Sequence, residues 1–87
     1  MITTVTDGEI LYASKMLAER EGIFVEPASA ASFAGVLKLS RRNYFRRGRV
    51  VCVLTGHGLK DPETALKQVK QPRSVKPDFR AIVDQIL

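Results

Sequence analysis

The fold of this chain is decided by the stretch Val50-Val51-Cys52-Val53-Leu54-Thr55-Gly56-His57-Gly58-Leu59-Lys60-Asp61. Its five apolar residues predict a short strand buried on both faces of a sheet, followed by a polar loop. In open α/β sheets, ligands bind beyond the carboxyl ends of the strands, which is where Thr55 would place its hydroxyl. Gly56 and Gly58 would let the backbone approach a ligand closely. We therefore expect this stretch to form one part of a ligand site.

The length and composition indicate one small domain. The chain has 87 residues, 45% of them hydrophobic and 26% charged. A chain of this size buries only about 60–65% of its unfolded surface, so we expect marginal stability. No segment approaches the roughly 20 apolar residues of a membrane-spanning helix, and the first residues lack the pattern of a signal peptide. The single cysteine, Cys52, is expected to be a buried and unreactive thiol in a reducing cytoplasm.

The net charge of +5 is concentrated locally. Six basic residues fall within twelve positions, around Tyr44 and Phe45: Lys38, Arg41, Arg42, Arg46, Arg47 and Arg49. This pattern resembles a nucleic-acid-binding patch. The alternative is a solvated loop whose charges complement the negative end of the preceding helix, and we favour it because the chain has no other nucleic-acid motif.

Local signals predict several helices. Thr6 and Glu9 fit a capping box at the start of an amphipathic helix, and Gly22 fits its end. Pro27 suits the first turn of a second helix, which is rich in Ala, Ser and Gly. Its small side chains allow close packing on a sheet or close contact with a ligand. Residues 61–69 predict a turn or two of helix, and residues 77–87 a last helix with an apolar stripe.

The order of elements predicts an α/β fold with a partial βαβ unit and flanking helices. Residues 23–25 and 50–55 would be its two strands, joined by the second helix. Two short strands do not form a stable sheet by themselves. We therefore expect either an oligomer or one piece of a larger doubly wound domain.

The chain offers few groups for catalysis. It contains no Gly-rich nucleotide-binding motif, no phosphate-binding loop and no metal-binding motif of His and Cys residues. His57, between two glycines, is interpreted as a loop residue bonded to the backbone, and Asp61 as a turn or cap residue. Glu26, between the first strand and the second helix, could either cap that helix or face a ligand. The residues thus provide half of a ligand site without a nucleophile.

Two segments carry a resemblance to a known family. They are Glu21-Gly22-Ile23-Phe24-Val25-Glu26-Pro27-Ala28-Ser29-Ala30-Ala31-Ser32 and Val53-Leu54-Thr55-Gly56-His57-Gly58-Leu59-Lys60-Asp61-Pro62. Together they closely resemble the C-terminal end of the threonine synthases, which are pyridoxal-phosphate enzymes of the tryptophan-synthase-β-like fold (fold type II). The likeness covers nearly the whole chain, and the second segment is the more specific of the two.

The resemblance implies a reaction and a set of site residues. This family converts O-phospho-L-homoserine and water to L-threonine and phosphate, using pyridoxal 5'-phosphate. The resemblance implies that Thr55 hydrogen-bonds the pyridine nitrogen of the cofactor, with Glu26 and Gly56 beside it. A hydroxyl, unlike a carboxylate, does not hold the ring as a pyridinium, so it moderates the electron sink. The resemblance also implies a cytoplasmic enzyme, homodimeric when intact.

Other functional parts of the family are expected to lie outside these residues. The Schiff-base lysine, the Gly-rich phosphate-binding loop and most ligands of the substrate phosphate precede the matching stretch. We therefore expect residues 1–87 to be an incomplete, C-terminal segment of the enzyme's large domain, inactive alone. The alternatives are a basic nucleic-acid-binding module that uses the residues from Arg41 to Arg49, and a remnant that only dimerises through exposed helix faces.

Overall fold

The computed structural model describes all residues from Met1 to Leu87. Four α-helices follow one another: α1 (Asp7–Glu21), α2 (Ala31–Arg41), α3 (Pro62–Lys67) and α4 (Phe79–Ile86). Two short 3₁₀ turns, Pro27–Ala30 and Gly58–Lys60, precede α2 and α3. No helix combines the length and the apolar character that crossing a membrane would require.

The first helix begins and ends as the sequence predicts. At its start, the Glu9 N–H donates to Thr6 Oγ1 at 3.2 Å, and the Thr6 N–H donates to Glu9 Oε2 at 2.7 Å. These reciprocal bonds are the predicted capping box. At its end, Gly22 takes the left-handed conformation with φ of 66°, where a side chain would be strained.

The core lies between α1, α2 and the segment that links them. Its buried residues are Ala13, Leu17, Val25, Ala30 and Ala34. Four of the five are Ala or Val, so the backbones of the two helices can approach closely. A polar contact reinforces the packing at one end, because Lys38 Nζ lies 2.7 Å from the Thr4 carbonyl oxygen and 3.8 Å from Glu9 Oε2. The small residues of α2 therefore pack against α1, so the expected packing on a sheet is not confirmed.

The predicted βαβ unit is not confirmed. The two segments that were expected to be parallel strands do not pair, and the one isolated bridge is antiparallel and joins Val25 to His57. The Glu26 N–H donates to the Gly56 carbonyl oxygen, and the Gly58 N–H donates to the Phe24 carbonyl oxygen, each at 3.1 Å. The partner of the first segment is thus the polar loop after residue 55, not the apolar run before it.

The apolar run over residues 50–55 does not form a strand, and its predicted burial is wrong for these residues. Val51 is 86% exposed and Val53 is 70% exposed, while Cys52 is only partly buried. The physical reason is that a strand requires neighbours that are hydrogen-bonded to its backbone, and no other segment of this chain forms backbone hydrogen bonds with residues 50–54. Leu54 packs against the core, whereas the valines of the run are left exposed.

The last two helices form near the predicted positions. Asp61 caps α3, accepting a hydrogen bond from the Thr64 N–H at 3.3 Å, which confirms its interpretation as a cap residue. The final helix begins at Phe79 rather than Pro77, because Asp78 takes the N-cap position and accepts from the Ala81 N–H at 3.1 Å. Neither helix has a buried residue, so both lie outside the core.

Candidate functional site

Ser29 is the centre of a small polar cluster at the start of the second helical segment. It is 6% exposed, in the 3₁₀ turn Pro27–Ala30. The Gly56 N–H donates to its Oγ at 2.6 Å. Its Oγ also lies 3.1 Å from Thr55 Oγ1 and 3.4 Å from Glu26 Oε1. One buried hydroxyl therefore joins three groups that come from two distant parts of the sequence.

Local sequence explains why the two parts meet. Pro27 fixes φ at the first position of the turn and needs no hydrogen bond there, so the chain leaves the extended Val25 segment directly into the turn. The Ser29 N–H then donates to the Glu26 carbonyl oxygen at 3.0 Å. The antiparallel bridge at Val25 holds the Gly56 backbone opposite this turn.

The structure brings together all three residues expected at the site. Thr55, Glu26 and Gly56 each contact Ser29, through a hydroxyl, a carboxylate and a backbone N–H respectively. Ser29 was not among the expected site residues. Its only sequence signal is a hydroxyl directly after Pro27-Ala28, within the segment that resembles the threonine synthases. Nothing in the sequence indicates contact with residues 26 and 27 positions further along.

Side chains of the chain itself cover both glycines of the loop. A Cβ at Gly56 would overlap the Glu26 carboxyl group, and a Cβ at Gly58 would overlap the Phe24 ring. Both glycines are buried, and neither has a positive φ. The space that a Cβ of each glycine would occupy is therefore filled by Glu26 or Phe24, and not by the ligand that we expected from the sequence.

Glu26 does not cap the following helix with its side chain. It occupies the N-cap position of the 3₁₀ turn, but no backbone N–H donates to its carboxylate. The one hydrogen-bonding neighbour of its carboxylate is the Ser29 hydroxyl. Of the two roles left open by the sequence, the capping role is therefore wrong.

His57 is a structural loop residue, as its glycine neighbours indicate. Its Nδ1 accepts a hydrogen bond from the Leu59 N–H at 3.1 Å, and this caps the turn Gly58–Lys60. Its ring also packs edge-on against Phe24, with centroids 5.7 Å apart. Because Nδ1 is engaged as an acceptor, the neutral ring carries its proton on Nε2.

The basic residues surround the far end of α2. Lys38 and Arg41 lie in its last turn, and Arg42 is its C-cap, so their charges complement the negative end of the helix dipole. The remaining arginines, Arg46, Arg47 and Arg49, are exposed in the following loop. No three His, Cys, Asp or Glu residues are grouped in a way that could hold a metal ion.

Comparison with known proteins identifies the family. A family model described as "Pyridoxal-phosphate dependent enzyme" matches residues 1–56, which is more than half of the chain. The chain belongs to this family. The polar cluster around Ser29 lies within the matched region, whose last residue is Gly56.

The chain is also similar to several threonine synthases. It is 49% identical to that of Methanocaldococcus jannaschii over 79 residues, which cover 90% of this chain and 20% of the relative. Its identity to the threonine synthase of Mycobacterium leprae is 52% over 82 residues, which cover 93% of this chain and 23% of the relative. Its identity to the threonine synthase of Halalkalibacterium halodurans is 49% over 87 residues, which cover 98% of this chain and 25% of the relative. The resemblance to threonine synthases is confirmed, and this member of the family spans about a fifth to a quarter of the length of these relatives.

The polar cluster fits one edge of the family's cofactor. Thr55 is exposed, and Ser29 is the only polar group that contacts its hydroxyl. A hydroxyl has one proton and two lone pairs, so Thr55 can make a further hydrogen bond outward. The site contains no cationic side chain and no lysine amine among its contacts, so it suits a neutral ring edge rather than a phosphate group. These residues could hold the pyridine side of pyridoxal phosphate.

Proposed function

We propose that residues 1–87 form the C-terminal part of a threonine synthase, in an enzyme that converts O-phospho-L-homoserine and water to L-threonine and phosphate. In this proposal, the segment supplies the wall of the cofactor site that faces the pyridine nitrogen. Glu26 and Gly56 frame that wall, and Thr55 makes the contact with the ring.

The observation that carries the proposal is the position of the Thr55 hydroxyl. It is exposed on one side and fixed on the other by the buried Ser29, 3.1 Å away. The similarity to threonine synthases, near 50% over at least 90% of the chain, supports the choice of reaction within the family.

The contribution of each residue follows from its chemistry. Pyridoxal phosphate, when bound, supplies an electron sink for the carbanion formed on the substrate. Thr55 binds the edge of the ring through a neutral hydroxyl, and so does not stabilise a full positive charge there as a carboxylate would. The Glu26 side chain lies over Gly56, in the space that a Cβ would occupy there.

The remaining parts of the active site are assigned to residues outside this segment. They are the lysine that binds the cofactor covalently, the loop that binds the cofactor phosphate and most groups that bind the substrate phosphate. We propose that the 87-residue chain is inactive alone and that the intact enzyme is a cytoplasmic homodimer. When pyridoxal phosphate is added to the isolated chain, its absorption spectrum should remain that of the free cofactor.

The test uses the complete enzyme of which this segment is a part. Thr55→Val keeps the shape of the side chain and removes its hydroxyl, whereas Thr55→Ser keeps the hydroxyl. Losing one hydrogen bond to the ring should shift the absorption of the bound cofactor and lower the turnover of O-phospho-L-homoserine by about tenfold or more. Thr55→Ser should retain most of the wild-type absorption spectrum and most of the turnover. If Thr55→Val leaves the spectrum and the turnover unchanged, the role assigned to Thr55 is wrong.

A further inference from the structure

The hydrogen bonds around Ser29 restrict the direction of the Thr55 hydroxyl. Ser29 has one proton and two lone pairs, and the Gly56 N–H already occupies one lone pair, with N and Oγ 2.6 Å apart. The proton of Ser29 can go to only one of two neighbours. They are Thr55 Oγ1 at 3.1 Å and Glu26 Oε1 at 3.4 Å.

The two choices have opposite consequences for a ligand. If Ser29 donates to Glu26, its free lone pair accepts the Thr55 proton, and Thr55 offers only lone pairs outward. If Ser29 donates to Thr55, the Thr55 proton is free to point outward. In the first case Thr55 accepts from a protonated ring nitrogen, and in the second it donates to an unprotonated one.

The distances favour the second choice. Hydroxyl donors usually lie about 2.5–3.0 Å from their acceptors. The contact with Thr55 is close to this range, whereas the contact with Glu26 is clearly longer. The short bond from Gly56 also polarises the Ser29 hydroxyl and makes it a stronger donor, since linked hydrogen bonds reinforce one another.

We propose that Ser29 is a positioning residue that orients the Thr55 hydroxyl as a hydrogen-bond donor towards the ring nitrogen of pyridoxal phosphate. The hydrogen bonds run in one direction, from the Gly56 N–H to Ser29, from Ser29 to Thr55, and from Thr55 to the ring. This arrangement keeps the ring nitrogen unprotonated. The inference rests on the proposed function, because it requires that Thr55 faces the ring.

The experiment measures the ring nitrogen directly in the complete enzyme. The enzyme is loaded with pyridoxal phosphate labelled with ¹⁵N in the ring, and the ¹⁵N resonance is recorded over a range of pH. The variants are Ser29→Ala, which removes the donor, and Ser29→Cys, which keeps a similar shape and a weaker donor. Ser32→Ala is the matched control, since the hydroxyl of this exposed serine hydrogen-bonds only the Val53 carbonyl oxygen, at 3.4 Å.

The expected wild-type resonance is that of an unprotonated, hydrogen-bonded nitrogen. Ser29→Ala should shift the ¹⁵N resonance in the same direction as Thr55→Val. The resonance of Ser29→Cys should lie between those of Ser29→Ala and the wild type. Ser32→Ala should leave the resonance unchanged. Ser29→Ala should also weaken binding of pyridoxal phosphate by about 3- to 10-fold, which is the effect of one net hydrogen bond. If Ser29→Ala does not fold, the position of the Ser29→Cys resonance still decides the question.

The possible failures can be distinguished from one another. If Thr55→Val shifts the resonance but Ser29→Ala and Ser29→Cys do not, Ser29 has no positioning role and the proposed function stands. A wild-type resonance typical of a protonated nitrogen means that Thr55 accepts, which overturns the proposed direction. If Thr55→Val does not shift the resonance, Thr55 does not contact the ring, and the proposed function fails together with this inference.

Discussion

At the scale of single residues, the loop glycines are explained by the side chains that lie on them. Gly56 makes room for Glu26, and Gly58 makes room for the Phe24 ring. Neither needs an unusual backbone conformation, since the positive-φ glycines of this chain are Gly22 and Gly48. The polar cluster therefore depends on the absence of two side chains as much as on the groups that form its hydrogen bonds.

Gly58→Ala should destabilise the loop by overlapping the Phe24 ring. We expect a loss of about 1–3 kcal/mol in the free energy of unfolding, as is typical of overpacking. Urea unfolding followed by circular dichroism measures it. Combining the substitution with Phe24→Ala should relieve the overlap, so the cost of the double variant should be smaller than the sum of the two.

A matched substitution separates this overlap from the general effect of replacing glycine. Gly35 lies within α2, and a Cβ there would meet no atom within 4 Å. Gly35→Ala should therefore stabilise the chain, by up to about 1 kcal/mol, because alanine favours the helix. Additive effects of Gly58→Ala and Phe24→Ala would show that the ring is not the obstacle.

At the scale of elements, the start of α1 depends on an acidic side chain. The hydrogen bond from the Thr6 N–H lowers the pKa of the Glu9 carboxyl group below its usual value of 4.5, with a smaller contribution from the charge of Lys38. Glu9 therefore links the capping box of α1 to the last turn of α2, because Lys38 also lies 3.8 Å from its Oε2.

This pKa shift predicts how stability changes with pH. Because the pKa is lower in the folded state, the ionised Glu9 contributes stability above about pH 4.5, and the contribution is lost as the pH falls through the lowered value. Glu9→Gln should therefore lower stability at neutral pH and flatten its dependence on pH in the acidic range. Thermal unfolding of the 87-residue chain, followed by helical circular dichroism at several pH values, measures both.

The control removes the same charge elsewhere on the same helix. Glu19 forms an exposed pair with Lys15, with Nζ and Oε1 3.7 Å apart. Exposed pairs contribute little, so Glu19→Gln should change neither the stability nor its pH dependence appreciably. Equal acid sensitivity of the wild type and Glu9→Gln would show that this carboxylate does not stabilise the start of α1.

The elements differ in how far the sequence determines them. The capping box of Thr6 and Glu9, the stop at Gly22 and the cap at Asp61 involve contacts over a few residues, so their residue types alone predict them. The contact between Ser29 and Thr55 spans 26 positions, and the pairing partner of Val25 depends on which backbone lies nearby. The resemblance to threonine synthases indicated Thr55, but only the structure could show that Ser29 holds it.

At the scale of the whole molecule, the chain is more extended than a compact domain. Its radius of gyration is 17.0 Å, whereas a compact chain of this length has about 12 Å. Only 8 of 87 residues are buried. The apolar run 50–54 has no hydrogen-bonded strand partner, and both its edges could pair with other strands. This is consistent with the proposal that the segment completes a larger enzyme.

Hydrogen exchange should reveal this incompleteness directly. None of the backbone N–H groups of residues 50–54 donates a hydrogen bond within the chain, so in the 87-residue chain they should exchange with solvent almost without protection. Amides in the middle of α1, near Ala13 and Leu17, should be the best protected, because they lie in the core. They provide the internal reference in the same experiment.

In the complete enzyme, we expect residues 50–54 to become as well protected as the middle of α1, because neighbouring strands would bind both edges of the run and cover its valines. Mass spectrometry of peptides that span residues 50–54 and 13–17 compares the two regions in both proteins. Strong protection of residues 50–54 in the isolated chain would mean that another copy of the chain already pairs with them. Continued rapid exchange in the complete enzyme would mean that Thr55 does not follow a sheet strand, and its placement at a strand end beside the cofactor would then be wrong.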